Sequence, residues 1–115
     1  MSGYYYKTKQ LLGKVVEVFI DRPIGYTYKG INYELNYGYI KELFAPDYEY
    51  QDAYIIDINE PIKTSCVGKV IAIIHRKDDI EDKLVVAANE KDYSIEQIKE
   101  LTNFQEQFFD IEIIK

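Results

Sequence analysis

Asp47-Tyr-Glu49-Tyr-Gln-Asp52 places three carboxylates within six residues, just where an apolar run begins. A second acidic knot, Asp78-Asp79-Ile-Glu81-Asp82, leads straight into Lys83 between two further apolar runs. Carboxylates this close repel one another, and a cation relieves the repulsion. Hard divalent ions such as Mg2+ and Mn2+ take carboxylate and water oxygens as ligands. Two such loops facing each other across a barrel mouth would hold two or more ions. Each knot alone also reads as a solvated turn, because aspartate bonds its own backbone at hairpin tips. The chain has one His and one Cys, too few for a zinc site. His75 reads as a strand residue rather than a base or ligand. No P-loop, G-x-G-x-x-G or G-x-S-x-G occurs, so nucleotide cradling and serine hydrolysis have no support.

The elements that must position these acids follow from composition and period. The chain has 115 residues, a natural size for one domain over 1–115. Its 20 acids against 14 bases give a charge of −6, which argues against gripping a phosphate backbone. A single-stranded nucleic-acid module, which 12 tyrosines would otherwise favour, is therefore disfavoured. Lone Cys66 fits a reducing compartment. No apolar run approaches the ~20 residues of a membrane span, and the first residues lack a signal-peptide pattern. A cytoplasmic protein with no membrane and no nucleic-acid partner is the expectation.

Residues 14–20, 31–35, 52–58, 68–75 and 83–88 are rich in Val, Ile and Tyr and read as strands. Pro23, Gly30, Pro46, Pro61 and Asp78-Asp79 punctuate them, which suggests an antiparallel barrel or sandwich. From Ser94 the period changes. Ile95, Ile98, Leu101, Phe104 and Phe108 recur every three or four residues, the stripe of an amphipathic helix. Ser94 and Gln97 make a capping box at its start. The predicted fold is mainly β, a small closed antiparallel OB-like barrel with one C-terminal helix packed on it.

Four segments in order, Asn36-Tyr37-Gly38-Tyr39-Ile40, Asp47-x-Glu49-x-x-Asp52-Ala-Tyr, Val70-Ile-Ala-Ile-Ile-His-Arg-x-Asp-Asp and Glu81-Asp82-Lys83-Leu84-Val85, carry a resemblance. They resemble the soluble inorganic pyrophosphatases of the Mg2+-dependent, OB-barrel type. Phe104-Gln-Glu-Gln-Phe108 resembles that family's C-terminal helix, and Glu17 in Val15-Val16-Glu17-Val18 an acid of its site. The likeness runs from residue 14 to residue 112. It implies hydrolysis of pyrophosphate to two phosphates by a water activated between Mg2+ ions, with Mn2+ as an alternative metal, in a protein that is commonly a homo-oligomer.

Carried over residue by residue, the resemblance makes Asp47, Asp52 and Glu17 metal ligands, and Glu49 with Asp52 the catalytic acids. Asp78 or Asp79 fills one further acid slot and Asp82 or Glu81 the other, with Asp78 and Asp82 favoured. Tyr37 and Lys83 fall on phosphate-binding positions.

Several positions depart from the pattern. Glu49 stands where larger members carry Asp. Gly25 and Thr27 occupy places of a lysine and a glutamate, an arginine-bearing segment is missing before Asn36, and Phe108-Phe109 replaces a Tyr-Lys pair. Arginine occurs at Arg22 and Arg76 alone, and these two with Lys29 are the nearest substitute cations. Pyrophosphate depends on charge-assisted bonds, so reduced activity is expected. The second reading is a non-catalytic relative that binds a metal–phosphate ligand or a protein partner.

Overall fold

Alternating Val, Ile and Tyr build β1 (Val15–Arg22), β4 (Asn36–Phe44), β5 (Tyr50–Ile55), β6 (Ser65–Arg76) and β7 (Asp82–Ala87). A computed structural model describes residues 7–44, 49–78, 81–89 and 91–115. These five strands pair in the order β1, β4, β5, β7, β6, and β6 returns to β1. The barrel is therefore closed, as the sequence leads one to expect. Four of its pairings are antiparallel and β5–β7 is parallel. Two-residue strands β2 (Thr27–Tyr28) and β3 (Ile31–Asn32) form a separate hairpin, and β8 (Ile111–Ile114) extends the sheet beside the far half of β6. No described helix is long and apolar enough to cross a membrane.

One strand differs from the sequence reading, and one was not anticipated. Residues 31–35 give only the short β3, while the long neighbouring strand is β4, in the Asn-Tyr-Gly-Tyr segment. Glycine there is a packing requirement. A Cβ on Gly38 would lie 1.9 Å from the Phe19 carbonyl oxygen of the paired strand, so no side chain fits. Asn36 acts as a brace: its carboxamide oxygen accepts from the Ile24 and Ile62 amides, and its nitrogen donates to the Glu60 carbonyl at 2.8 Å.

The strands bury two layers. Val18, Ile40, Ala53, Ile55, Ile73, Leu84 and Val86, from all five barrel strands, pack together inside the barrel. On the outer side Tyr37, Tyr54, Ile74 and Val85 pack with Ile98 and Phe104 of α1 (Ile95–Glu106). Period-two alternation decides which layer each side chain joins.

Helix α1 begins with the expected capping box: the Ser94 hydroxyl accepts from the Gln97 amide, and the Gln97 side chain accepts from the Ser94 amide. Its buried face differs from the apolar stripe. Ile98, Thr102, Gln105 and Glu106 are buried, whereas Ile95, Leu101 and Phe108 are exposed. The helix is rotated so that its polar groups reach the polar tips of the outer layer, described below. Phe104 remains packed, edge-on to Tyr33 and Tyr54 with centroids 5.5 and 5.9 Å away. Phe104→Ala is expected to cost about 3 kcal/mol, the low end for such truncations because the ring is only half-buried. An unchanged urea midpoint would show that these ring contacts add nothing.

Candidate active site

Strand β1 carries a bulge where the ladder with β4 slips between Ile20 and Arg22. Ile20 pairs with Gly38 and Arg22 with Tyr37, leaving Asp21 as the extra residue. Regular alternation would send Asp21 and Arg22 to opposite faces. The bulge instead lets both line one cleft beside α1. That cleft encloses about 820 Å³. Tyr37, Glu49, Asp52, Arg76, Glu81 and Lys83 line it as well.

The parallel β5–β7 pair aligns Ala53 with Leu84, and one residue earlier on each strand stand Asp52 and Lys83. Their side chains meet: Lys83 Nζ donates to Asp52 Oδ2 at 2.7 Å and to Glu81 Oε2 at 2.9 Å. The Lys83 side chain is 4% exposed, so these two carboxylates are what make its charge tolerable there. Tyr37 sits at the centre. Burial first, then the Asp52 charge, pushes its phenol well above the ordinary value, so it stays protonated and donates to Asp52. The Arg22 Cζ lies 5.4 Å, and Lys83 Nζ 5.8 Å, from the Tyr37 ring centroid. Burial raises the Asp21 carboxyl, Arg22 works against that rise, and the Asp52 charge adds to it.

A polar chain runs along the wall of the cleft, which Arg22, Gln105 and Arg76 line. Arg22 Nη1 donates to the Tyr33 hydroxyl at 2.7 Å, Tyr33 donates to Gln105 Oε1, and Gln105 Nε2 donates to the Tyr54 hydroxyl at 2.6 Å. Tyr54 then donates to Glu106 Oε2, and Arg76 donates to both Glu106 oxygens, to Oε1 at 2.9 Å and to Oε2 at 2.7 Å. Burial disfavours the Arg76 charge, but the Glu106 bonds more than offset it and hold the guanidinium above its usual value.

The sequence candidates divide cleanly. Glu49, Asp52, Tyr37, Lys83, Arg22 and Arg76 come together. Asp82, Asp78 and Glu17 do not line the cleft. Asp82 lies one position from Lys83, and alternation turns it toward the end of the barrel interior, where it accepts a bond from the Thr8 hydroxyl and meets His75 Nδ1 at 2.7 Å. Glu81, two positions from Lys83, shares its face and occupies the place that the favoured assignment gave to Asp82. Glu17 stands between inward-facing Val16 and Val18, so it faces outward and accepts from the Ser65 hydroxyl at 2.7 Å. Asp78 accepts from the Asp110 amide in the turn after β6. Asp47 and Asp79 lie outside the described residues. Arg76 lines the cleft, yet its charge is already met by Glu106. Sequence reasoning missed Asp21, Tyr33 and Gln105, none of which belongs to an acidic knot or an apolar stripe.

The cleft's donors suit a hard cation: Asp21, Glu49, Asp52 and Glu81 supply carboxylates, with no imidazole or thiol among the described lining residues. Among the described residues, however, no three potential ligands gather into a ready metal cluster.

No family model matches the chain, and no curated protein matches it in sequence. Solved structures do match its fold. Inorganic pyrophosphatase from Ehrlichia chaffeensis superposes with a TM-score of 0.68 at 14% identity, covering 88% of this chain and 85% of that one. The Helicobacter pylori enzyme gives 0.67 at 12%, covering 88% and 84%. The Thermus thermophilus enzyme gives 0.62 at 14%, covering 89% and 81%. The barrel with its C-terminal helix is thus the fold of bacterial inorganic pyrophosphatases.

Proposed function

We propose that this protein hydrolyses pyrophosphate, or a related phosphoanhydride, at the cleft between the barrel and α1. The observation that carries the reading is the Asp52–Lys83–Tyr37 cluster: on a pyrophosphatase fold, it unites residues from three separate segments of the sequence resemblance. Arg22 and Lys83 flank Tyr37, where two linked phosphates would each find a cation. Lys83 meets a phosphate oxygen without a new desolvation cost, since it is already buried. Mg2+ or Mn2+, drawn to a cleft that Asp52, Asp21 and Glu49 line, would supply charge neutralisation and an acidified water. Glu49 would orient that water, and Tyr37 positions the Asp52 side chain by donating to it. Glu49 is one methylene longer than the family's aspartate and lysine positions are lost at Gly25 and Phe109, so turnover is slow.

Ligands that bind only the folded state raise its melting temperature. Millimolar Mg2+ or Mn2+ is expected to raise it by several degrees, and pyrophosphate with Mg2+ to raise it further. A melting curve unmoved by either ion with pyrophosphate contradicts the reading. The retained cluster also suits a binding module for a metal–phosphate ligand; stabilisation without any phosphate release favours that alternative. A cytoplasmic homo-oligomer remains part of the proposal by resemblance.

A further inference from the structure

Among the described residues four cations line the cleft, and two are already paired. Lys83 is held by Asp52 and Glu81, and Arg76 by Glu106. Among the described residues, no carboxylate lies within ion-pair distance of Arg22. Its guanidinium carbon lies over Tyr28, 3.9 Å from the ring centroid, and one nitrogen is fixed on the Tyr33 hydroxyl. A guanidinium held over an aromatic ring can still offer its remaining N–H groups to an anion. Its orientation then depends on Tyr33, a fully buried side chain whose hydroxyl turns only if Gln105 allows.

Gln105 is unusual in its own right. It is a buried carboxamide on α1 whose two ends are both committed, the oxygen to Tyr33 and the nitrogen to Tyr54. An apolar residue would pack at a helix–barrel contact without needing these partners. The carboxamide fixes the direction of each phenol's hydrogen bond: Tyr33 must donate to it, so Tyr33 oxygen is left to accept from Arg22.

We propose that Gln105 is a positioning residue: through Tyr33 it sets Arg22 in the orientation that receives one phosphate of the substrate. The inference rests on the phosphoanhydride reading of the cleft. It assigns α1 a part in substrate affinity that touches none of the reacting atoms. Loss of the relay frees Arg22 to rotate about its side chain and weakens ligand binding, while Asp52, Glu49 and Lys83 keep their places for the chemical step.

The test uses Mg2+–pyrophosphate as probe, with calorimetric affinity and steady-state phosphate release measured on each protein. Tyr33→Phe deletes one oxygen and leaves the ring, so it guards against a Gln105→Leu protein that fails to fold. Both variants are expected to raise Kd and KM about tenfold, the scale of one lost bond to a charged group, with kcat held within about twofold. In an Arg22→Ala background neither should weaken binding further, a non-additivity that plain destabilisation would not produce. Unchanged Kd in both variants, or full additivity with Arg22→Ala, overturns the positioning role and leaves the functional reading standing. A wild-type protein that neither binds nor cleaves pyrophosphate overturns both.

Discussion

Glu106→Ala is expected to destabilise the protein by about 3–5 kcal/mol, the largest stability loss among the single changes considered. Glu106 is 2% exposed and takes two bonds from Arg76 and one from Tyr54. Removing it strands an arginine whose side chain is only 6% exposed and leaves the Tyr54 hydroxyl without its charged acceptor. An uncompensated buried charge costs far more than a missing contact. The companion change separates charge from packing. Arg76→Met combined with Glu106→Leu removes both charges at similar volume and should recover most of the loss. If Glu106→Ala shifts the urea midpoint no more than the double variant does, the pair is not what holds α1 on the barrel.

Asp52→Asn is expected to have the largest effect on activity, lowering kcat/KM by about 100-fold or more, the scale of loss from misplacing a reacting group by ~1 Å. The carboxylate has three partners in this reading: it anchors Lys83, accepts from Tyr37, and holds the metal. Asparagine keeps the shape but donates through its nitrogen, which opposes Lys83 and cannot neutralise a cation. The Asp52 side chain is 35% exposed, so the fold should survive, with a melting temperature in the absence of Mg2+ within a few degrees of wild type. The rise on adding Mg2+ should shrink or vanish. Turnover within about threefold of wild type would remove Asp52 from the mechanism.

The barrel was legible because its strands are short, β-branched and punctuated, and the helix because its capping box and period agree. Strand β4 was harder to see: Gly38 interrupts it for a reason that lies on β1, the approach of the Phe19 carbonyl. Strand β8 is four residues long and gains its identity only by pairing with β6. The helix face was misread because burial normally selects apolar residues, whereas Gln105 and Glu106 are buried for the hydrogen bonds they make to Tyr33, Tyr54 and Arg76. Those partners are remote in sequence.

At the site, Tyr37, Asp52 and Lys83 could be read from short motifs. The choice between Glu81 and Asp82 could also have been read: once Lys83 is placed in the cleft, a strand's period of two puts Glu81 beside it and Asp82 behind. Arg22 was nominated only as a cation nearby. The bulge at Asp21 that turns it into the cleft has no local sequence signature, since it is defined by the register of β1 against β4.

Phosphate release from Mg2+–pyrophosphate by the purified wild-type protein, beside Asp52→Asn prepared identically, tests whether the Asp52–Lys83–Tyr37 cleft cleaves a phosphoanhydride. Turnover above buffer in the wild type that is lost in Asp52→Asn is the expected result. No turnover with Mg2+ or with Mn2+, from a protein whose cooperative melt shows it folded, would contradict it.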